Sequence, residues 1–329
     1  MSEMTYRPLG SSGLMVSTIG LGTNAFGARI DAEQTQRVVD AALDAGITFF
    51  DTSDTYGVGA SEELLGRSLG SRRDDVVVAT KFGMDMGGAN GPDWGARASR
   101  RYVRRAVEAS LHRLGTDHID LYQLHQPDLV TPIAETLEAL TELVTEGKVR
   151  YLGCSNFAAW QVVDAHWTAS TAGLRPFVSA QNEYSLYNRA AEEELVPALE
   201  HLGMSLVAYF PLAYGLLTGK YRRGEQAPEG TRLAAGSQAH RLANADWDRI
   251  EALEAFAAER GVGILDVAIG GLAAMPAVGS VIAGATRPEQ VAANVRAGLW
   301  QPTEEDLEAL AGVNRDRGAG MTHASFTRR

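Results

Sequence analysis

Alternating strand and helix segments, eight of each in succession over 329 residues, predict an α/β fold, a (β/α)8 TIM barrel with an N-terminal β-hairpin closing the barrel bottom. Three strand segments also turn polar where they end: Ile47-Thr48-Phe49-Phe50-Asp51, Val76-Val77-Val78-Ala79-Thr80-Lys81 and Ile119-Asp120-Leu121-Tyr122-Gln123-Leu124-His125. A parallel barrel presents such residues at its mouth, where the βα loops gather. Single barrels run to about 250 residues and more with insertions, so the chain reads as one domain over 1–329.

Residues 4–18 read as two short extended pieces around Gly10-Ser11-Ser12-Gly13, whose glycines suit a hairpin turn. A strand over 17–23 follows, and Asp31 caps a helix from Ala32 to Ala45 that Gly46 ends. Strand 47–51 leads to a helix around 61–69. Alternation continues with strand 75–81, helix 99–115, strand 119–125, helix 131–146 stopped by Gly147, strand 149–154 and helix 158–171. Next come strand 178–183, helix 190–202 stopped by Gly203, strand 205–210, helical material over 245–275, strand 279–283 and helix 288–297. Two connections, 84–98 and 213–245, are too long for plain turns, and long loops at strand C-terminal ends carry function or form lids.

Composition narrows the function. A hydrophobic content of 45% with 22% charged residues is that of a globular protein with a large core. Net charge −11 and a pI near 5.2 argue against nucleic acid and anionic membranes as partners, because both need a basic face. The single cysteine, Cys154, allows no intramolecular disulfide and reads as a small buried strand residue. With no apolar N-terminal stretch either, a cytoplasmic protein is expected. Seven histidines without metal-ligand spacing give no metal site.

Gly20-Leu21-Gly22-Thr23-Asn24-Ala25 matches a dinucleotide fingerprint in letters only, because Gly27 and the cap at Asp31 delay the helix that should start within the glycines. Gly215-Leu216-Leu217-Thr218-Gly219-Lys220-Tyr221 lacks the gap and terminal hydroxyl of a P-loop, although its lysine and amides suit a phosphate. The constellation Asp51, Tyr56, Lys81 and His125 carries more. A free phenol has a pKa of about 10, and an adjacent ammonium favours the phenolate, so Lys81 is expected to lower the Tyr56 pKa and make it a better acid. Asp51 would hold the lysine, and His125 would bind the reacting oxygen. Such a set suits protonating an oxygen as its carbon receives a hydride. A barrel hydrolase using Asp51 and Asp54 as paired carboxylates is the competing reading, and it leaves Lys81 and His125 without roles.

With these motifs the chain resembles the aldo-keto reductases, NAD(P)H-dependent barrels that reduce aldehydes and ketones without metal or flavin. Asp51-Thr52-Ser53-Asp54-Thr55-Tyr56-Gly57 is similar to the family's Asp-to-Tyr segment, and Thr80-Lys81 and Leu124-His125 complete its tetrad. The resemblance implies that Ser155, Asn156 and Gln181 hold the nicotinamide carboxamide and that Tyr209 stacks on its ring. It further implies cofactor contacts from Gly22, Thr23 and Asn24, and from Phe210, Pro211, Leu212, Gly215, Leu217, Gly219, Lys220 and Arg232 about the pyrophosphate. Gly284, Thr286, Arg287, Gln290 and Asn294 fall at the adenosine end. Phe210 stands where related branches have serine, Ala283 where they have proline, and Ala293 where they have glutamate. NADPH is the expected cofactor, with NADH as the variant, and Arg287 is the candidate for its 2′-phosphate. A small-molecule carbonyl is the expected partner, walled by Phe26, Trp94 and Phe326 from loops 24–30 and 84–98 and the tail after Val313. A cofactor-binding regulatory subunit of the channel β type shares the barrel and tetrad and is the alternative.

Overall fold

The computed structural model describes residues 4–234 and 238–313. Strands β1 (Tyr6–Pro8) and β2 (Met15–Ser17) form an antiparallel hairpin with Tyr6 opposite Ser17. Next in the chain are β3 (Ile19–Gly22), α1 (Ala32–Asp44), β4 (Phe49–Asp51), α2 (Ala60–Leu69), β5 (Val77–Phe82), α3 (Arg100–Leu114), β6 (Ile119–Leu124) and α4 (Ile133–Thr145). After these come β7 (Val149–Ser155), α5 (Ala159–Ala172), β8 (Ser179–Glu183), α6 (Leu195–Leu202) and β9 (Ser205–Tyr209). The remaining elements are α7 (His240–Ala243), α8 (Trp247–Glu259), α9 (Ile264–Asp266), β10 (Val278–Gly284), α10 (Pro288–Gly298) and α11 (Glu304–Gly312). Strands β3 to β10 are paired in parallel, and β10 meets β3 to close the eight-stranded barrel.

Local chemistry accounts for the helices. The Asp31 carboxylate accepts the Gln34 amide at 2.9 Å, and Thr35, Val38, Val39 and Ala42 give α1 one buried face at helical spacing. Helix α6 starts at Leu195, later than the expected residue 190. Pro197 has no N–H and fits only in the first turn, so Ala190–Glu192 forms a separate 3-10 turn. Gly261-Val262-Gly263 splits the material after 245. A π turn over Val267–Gly271 then lets the helix approach the end of α10: a side chain on Gly270 would sit 2.6 Å from the Trp300 carbonyl. Helix α11 has no counterpart in the sequence reading, although Thr303 and Asp306 bond each other's backbone in a capping box.

Side-chain alternation builds the barrel interior in layers. Leu9, Leu14 and Val16 from the hairpin pack beneath Phe49, Ala79, Leu121, Val207 and Ile282, forming an apolar cluster that plugs the bottom. Two residues further along their strands, the same inward face carries Asp51, Lys81 and Gln123. The apolar layer thus forms the floor of a polar one.

Candidate active site

Asp51 and Lys81 are almost wholly buried, and the lysine Nζ donates to Asp51 Oδ2 at 2.7 Å, to the Thr52 carbonyl at 2.8 Å and to the Tyr56 hydroxyl at 3.3 Å. Gln181 and Gln123 donate to the other oxygen, Asp51 Oδ1, at 2.7 Å and 3.3 Å. Both lobes of the carboxylate are therefore occupied, which fixes the lysine beneath the phenol. The Tyr56 and His125 rings meet edge to face at 6.2 Å, so the four residues expected from the strand ends come together. Gln123 was missed because only strand termini were weighed. It lies two residues before His125, and alternation alone assigns it to the same face.

Electrostatics correct one expectation. Burial pushes the Tyr56 phenol above its ordinary pKa, and the Lys81 charge offsets this only in part, so the net shift is upward, opposite to the expected lowering. Burial also opposes the charge on Lys81. Its bonds to Asp51 and Tyr56 outweigh that effect and hold the ammonium above its usual range. His125 is pushed down to about 3 by burial and by the nearby Lys81, so the imidazole is neutral. Its Nδ1 lies 3.1 Å from the Ser53 hydroxyl.

Around this centre, Ser155 donates to the Gln181 carbonyl at 2.8 Å. Asn156, held at φ +60°, donates to the His125 carbonyl at 2.9 Å and accepts from the Tyr209 hydroxyl at 2.7 Å. Cavities of about 450 Å³ and 360 Å³ flank Asn156, one bounded by Gly83, Arg97, Gln126 and Leu129, the other by Asn182, Glu183 and Tyr209. Beyond β9 the chain turns through positive φ at Phe210, Ala213 and Tyr214, with buried Pro211 and half-buried Leu212 between them. Gly215 at φ +104° and Gly219 at φ +74° continue the bend in a conformation that favours glycine. The guanidinium of Arg232 lies 5.4 Å from the Phe210 ring centroid and 5.2 Å from that of Tyr214. Across the mouth, Gly284 ends β10 beside Gly22 and Asn24, and Gln290 accepts from the Thr286 amide at 2.7 Å. Arg287 is the N-cap of α10, Pro288 is its first residue, and Asn294 is buried on the same helix.

Several expected contacts are corrected. Phe26 is fully buried in the core between helices and strands, with no surface to offer a substrate. Thr23 and Leu217 are fully buried as well, and Thr23 is spent within the fold, its Oγ1 and its amide both donating to the Asp51 carbonyl at 3.0 Å and 2.9 Å. Trp94 is 73% exposed, with Arg101 4.4 Å from its ring centroid, and lines neither of the two cavities. Phe326 lies outside the described residues.

The residues suit a dinucleotide. Among the described residues Lys220, Arg232 and Arg287 form no ion pair, although 41 acidic residues face 30 lysines and arginines in the whole chain. Arg29, which the sequence reading passed over, joins them: it donates weakly to Asn24 at 3.4 Å, and its charge lowers the pKa of Arg232 after the larger effect of burial. Within the described residues no group of three or more His, Cys, Asp or Glu side chains is arranged to hold a metal, and no helix is long and apolar enough to cross a membrane.

Comparison with known proteins agrees with this geometry. A probable voltage-gated potassium channel subunit beta from Oryza sativa subsp. japonica is 36% identical over 304 residues, covering 89% of this chain and 91% of the relative. The uncharacterized oxidoreductases YrpG and YqkF of Bacillus subtilis are 38% and 37% identical, covering 89% and 93% of this chain and 91% and 95% of their own lengths. A family model, Aldo/keto reductase family, matches residues 18–315, and with it the chain belongs to the aldo/keto reductase family and is an NAD(P)H-dependent oxidoreductase.

Proposed function

We propose that this chain is an NADPH-dependent reductase that transfers hydride to the carbonyl carbon of an aldehyde, ketone or keto-sugar, acting in reverse as an alcohol dehydrogenase, with Tyr56 as the general acid. The observation that carries the proposal is the buried Lys81 ammonium set between the Asp51 carboxylate and the Tyr56 hydroxyl. When bound, the nicotinamide supplies the hydride. Tyr56 gives its proton to the carbonyl oxygen, and Lys81 stabilises the phenolate that forms. Asp51, clamped by Gln181 and Gln123, holds the lysine in register. His125, neutral across physiological pH, donates a neutral hydrogen bond to the same oxygen.

Asn156 is restrained by His125 and Tyr209, which supports its place beside the carboxamide with Ser155 and Gln181. Lys220 and Arg232 would meet the pyrophosphate, and Arg287 the 2′-phosphate that separates NADPH from NADH. A cytoplasmic setting accords with the one buried cysteine. The paired-carboxylate reading has less support, since the Asp54 carboxylate accepts from Asn90 and Ser53 whereas the Asp51 carboxylate accepts from Lys81, Gln181 and Gln123. The name of the rice relative favours a second reading, a cofactor-binding regulatory subunit with little turnover. NADPH consumption against a panel of aldehydes, ketones, keto-sugars and steroids separates the two: sustained turnover supports the reductase, and a single slow turnover with every carbonyl supports the subunit.

A further inference from the structure

Ser53 lies completely buried behind His125 and has one proton to give. Its Oγ stands 3.1 Å from His125 Nδ1, 2.9 Å from Thr55 Oγ1 and 3.4 Å from Asp54 Oδ1, and it accepts the Thr55 amide at 3.2 Å. Among the described residues it is the one hydrogen-bond partner of Nδ1. Three acceptors compete for that proton: His125 Nδ1, Asp54 Oδ1 and Thr55 Oγ1. If Ser53 donates to Nδ1, the ring proton sits on Nε2 and can be offered to a substrate oxygen. If Ser53 donates to Asp54 or to Thr55, Nδ1–H donates to Ser53, and Nε2 is a bare acceptor with nothing to offer.

We propose that Ser53 is a positioning residue that holds His125 in its Nε2–H form, and that the protonation state of Asp54 decides which way the Ser53 hydroxyl points. The proposal rests on the reading of His125 as donor to the carbonyl oxygen. An ionised carboxylate attracts a hydroxyl proton more strongly than a neutral imidazole does, so ionised Asp54 draws the proton away from Nδ1. A protonated Asp54 can donate to Ser53 instead and leaves the hydroxyl free for the histidine.

The surroundings of Asp54 place this exchange near neutral pH. Burial first, then the Glu62 carboxylate on α2, raise Asp54, while Arg113 on α3 and hydrogen bonds from Asn90 and Ser53 lower it, leaving it at about 7. Tyr102 on α3 and Tyr122 on β6 are the other titratable groups facing it, both raised chiefly by burial and hence neutral there. His125 itself faces Lys81 and Tyr56, and neither titrates in this range.

Nitrogen-15 NMR of the full chain saturated with NADP+, with the His125 signals assigned by their loss in His125→Gln, reads the tautomer directly. Between pH 6 and pH 8 the wild type should shift from Nε2–H towards Nδ1–H, Asp54→Asn should stay Nε2–H throughout, and Ser53→Ala should lose the pH response. In Ser53→Ala, kcat for carbonyl reduction should fall about tenfold with the KM for NADPH unchanged, as expected for one lost hydrogen bond. Identical tautomer populations in wild type and Ser53→Ala at both pH values would overturn the proposal. Should Asp54→Asn fail to fold, the wild-type pH response and its loss in Ser53→Ala still decide. The NMR readout needs no turnover, so a chain with the tautomer switch but no carbonyl reduction would refute the reductase reading alone.

Discussion

Replacing Asp51 with asparagine removes the counter-charge of an ammonium that has no exposure to water. Lys81 Nζ would keep only neutral oxygens, those of Thr52 at 2.8 Å and Tyr56 at 3.3 Å. Removing one partner of a buried ion pair costs about 3–5 kcal/mol, because the remaining charge stays desolvated. The converse change, Lys81→Met, leaves a carboxylate still bound to Gln181 at 2.7 Å and Gln123 at 3.3 Å, so its cost should fall at or below the lower end of that range. Combining Asp51→Asn with Lys81→Met removes both charges and restores balance. The double variant should be more stable than the sum of the single losses by about 2 kcal/mol, within the usual span for residues in contact. Urea unfolding of the four proteins at pH 7 gives this coupling energy. Additivity to within about 0.5 kcal/mol would refute the buried pair.

Arg287→Ala should weaken NADPH binding about 10- to 150-fold and leave NADH nearly unchanged, since a hydrogen bond to a charged group contributes about 1.5–3 kcal/mol; side-by-side fluorescence titrations check it, and equal losses for both cofactors would move the phosphate to Arg232 or Lys220. Leu9→Ala removes a fully buried side chain of the barrel floor and should cost about 2–5 kcal/mol of stability without altering KM or kcat, because the floor lies beneath the reacting layer. Asp54 keeps its proton in the folded chain up to about pH 7, whereas the unfolded carboxyl loses it near its ordinary pKa of 3.8, so its contribution to stability is lost as pH rises through this window. Thermal melts should therefore show the wild type falling behind Asp54→Asn between pH 5 and pH 8, and parallel curves would refute the raised pKa.

Much of this arrangement is legible in the sequence because a parallel barrel sends its strand ends to one place. Asp51, Lys81 and His125 are polar residues closing apolar runs, and Tyr56 follows five residues after the first of them. Gln123 sits inside a run, and only the inward alternation of β6 reveals it. The polar network behind the site was hidden for a different reason. Asn90, Glu62 and Arg113 come from a loop and two helices far apart in the chain, yet Arg113 bonds Glu62 at 2.6 Å and Asn90 at 3.2 Å. Nothing in local pattern announces contacts of that range. Phe26 shows the converse, since a position in a loop expected to carry specificity suggested a pocket wall and tertiary packing took the ring into the core. The sign of the Tyr56 shift also escaped, because proximity to Lys81 can be read from strand order whereas desolvation follows only from the packed structure.

The central claim is that Tyr56 supplies the proton that accompanies hydride transfer to a carbonyl. NADPH oxidation by wild type and Tyr56→Phe, measured on an aldehyde that the wild type reduces and paired with NADPH binding by fluorescence, tests it most directly. Loss of turnover with cofactor affinity nearly intact is the predicted result, since the hydroxyl acts in the transition state. Retention of more than roughly a tenth of the wild-type rate would contradict it and assign the proton to another acid.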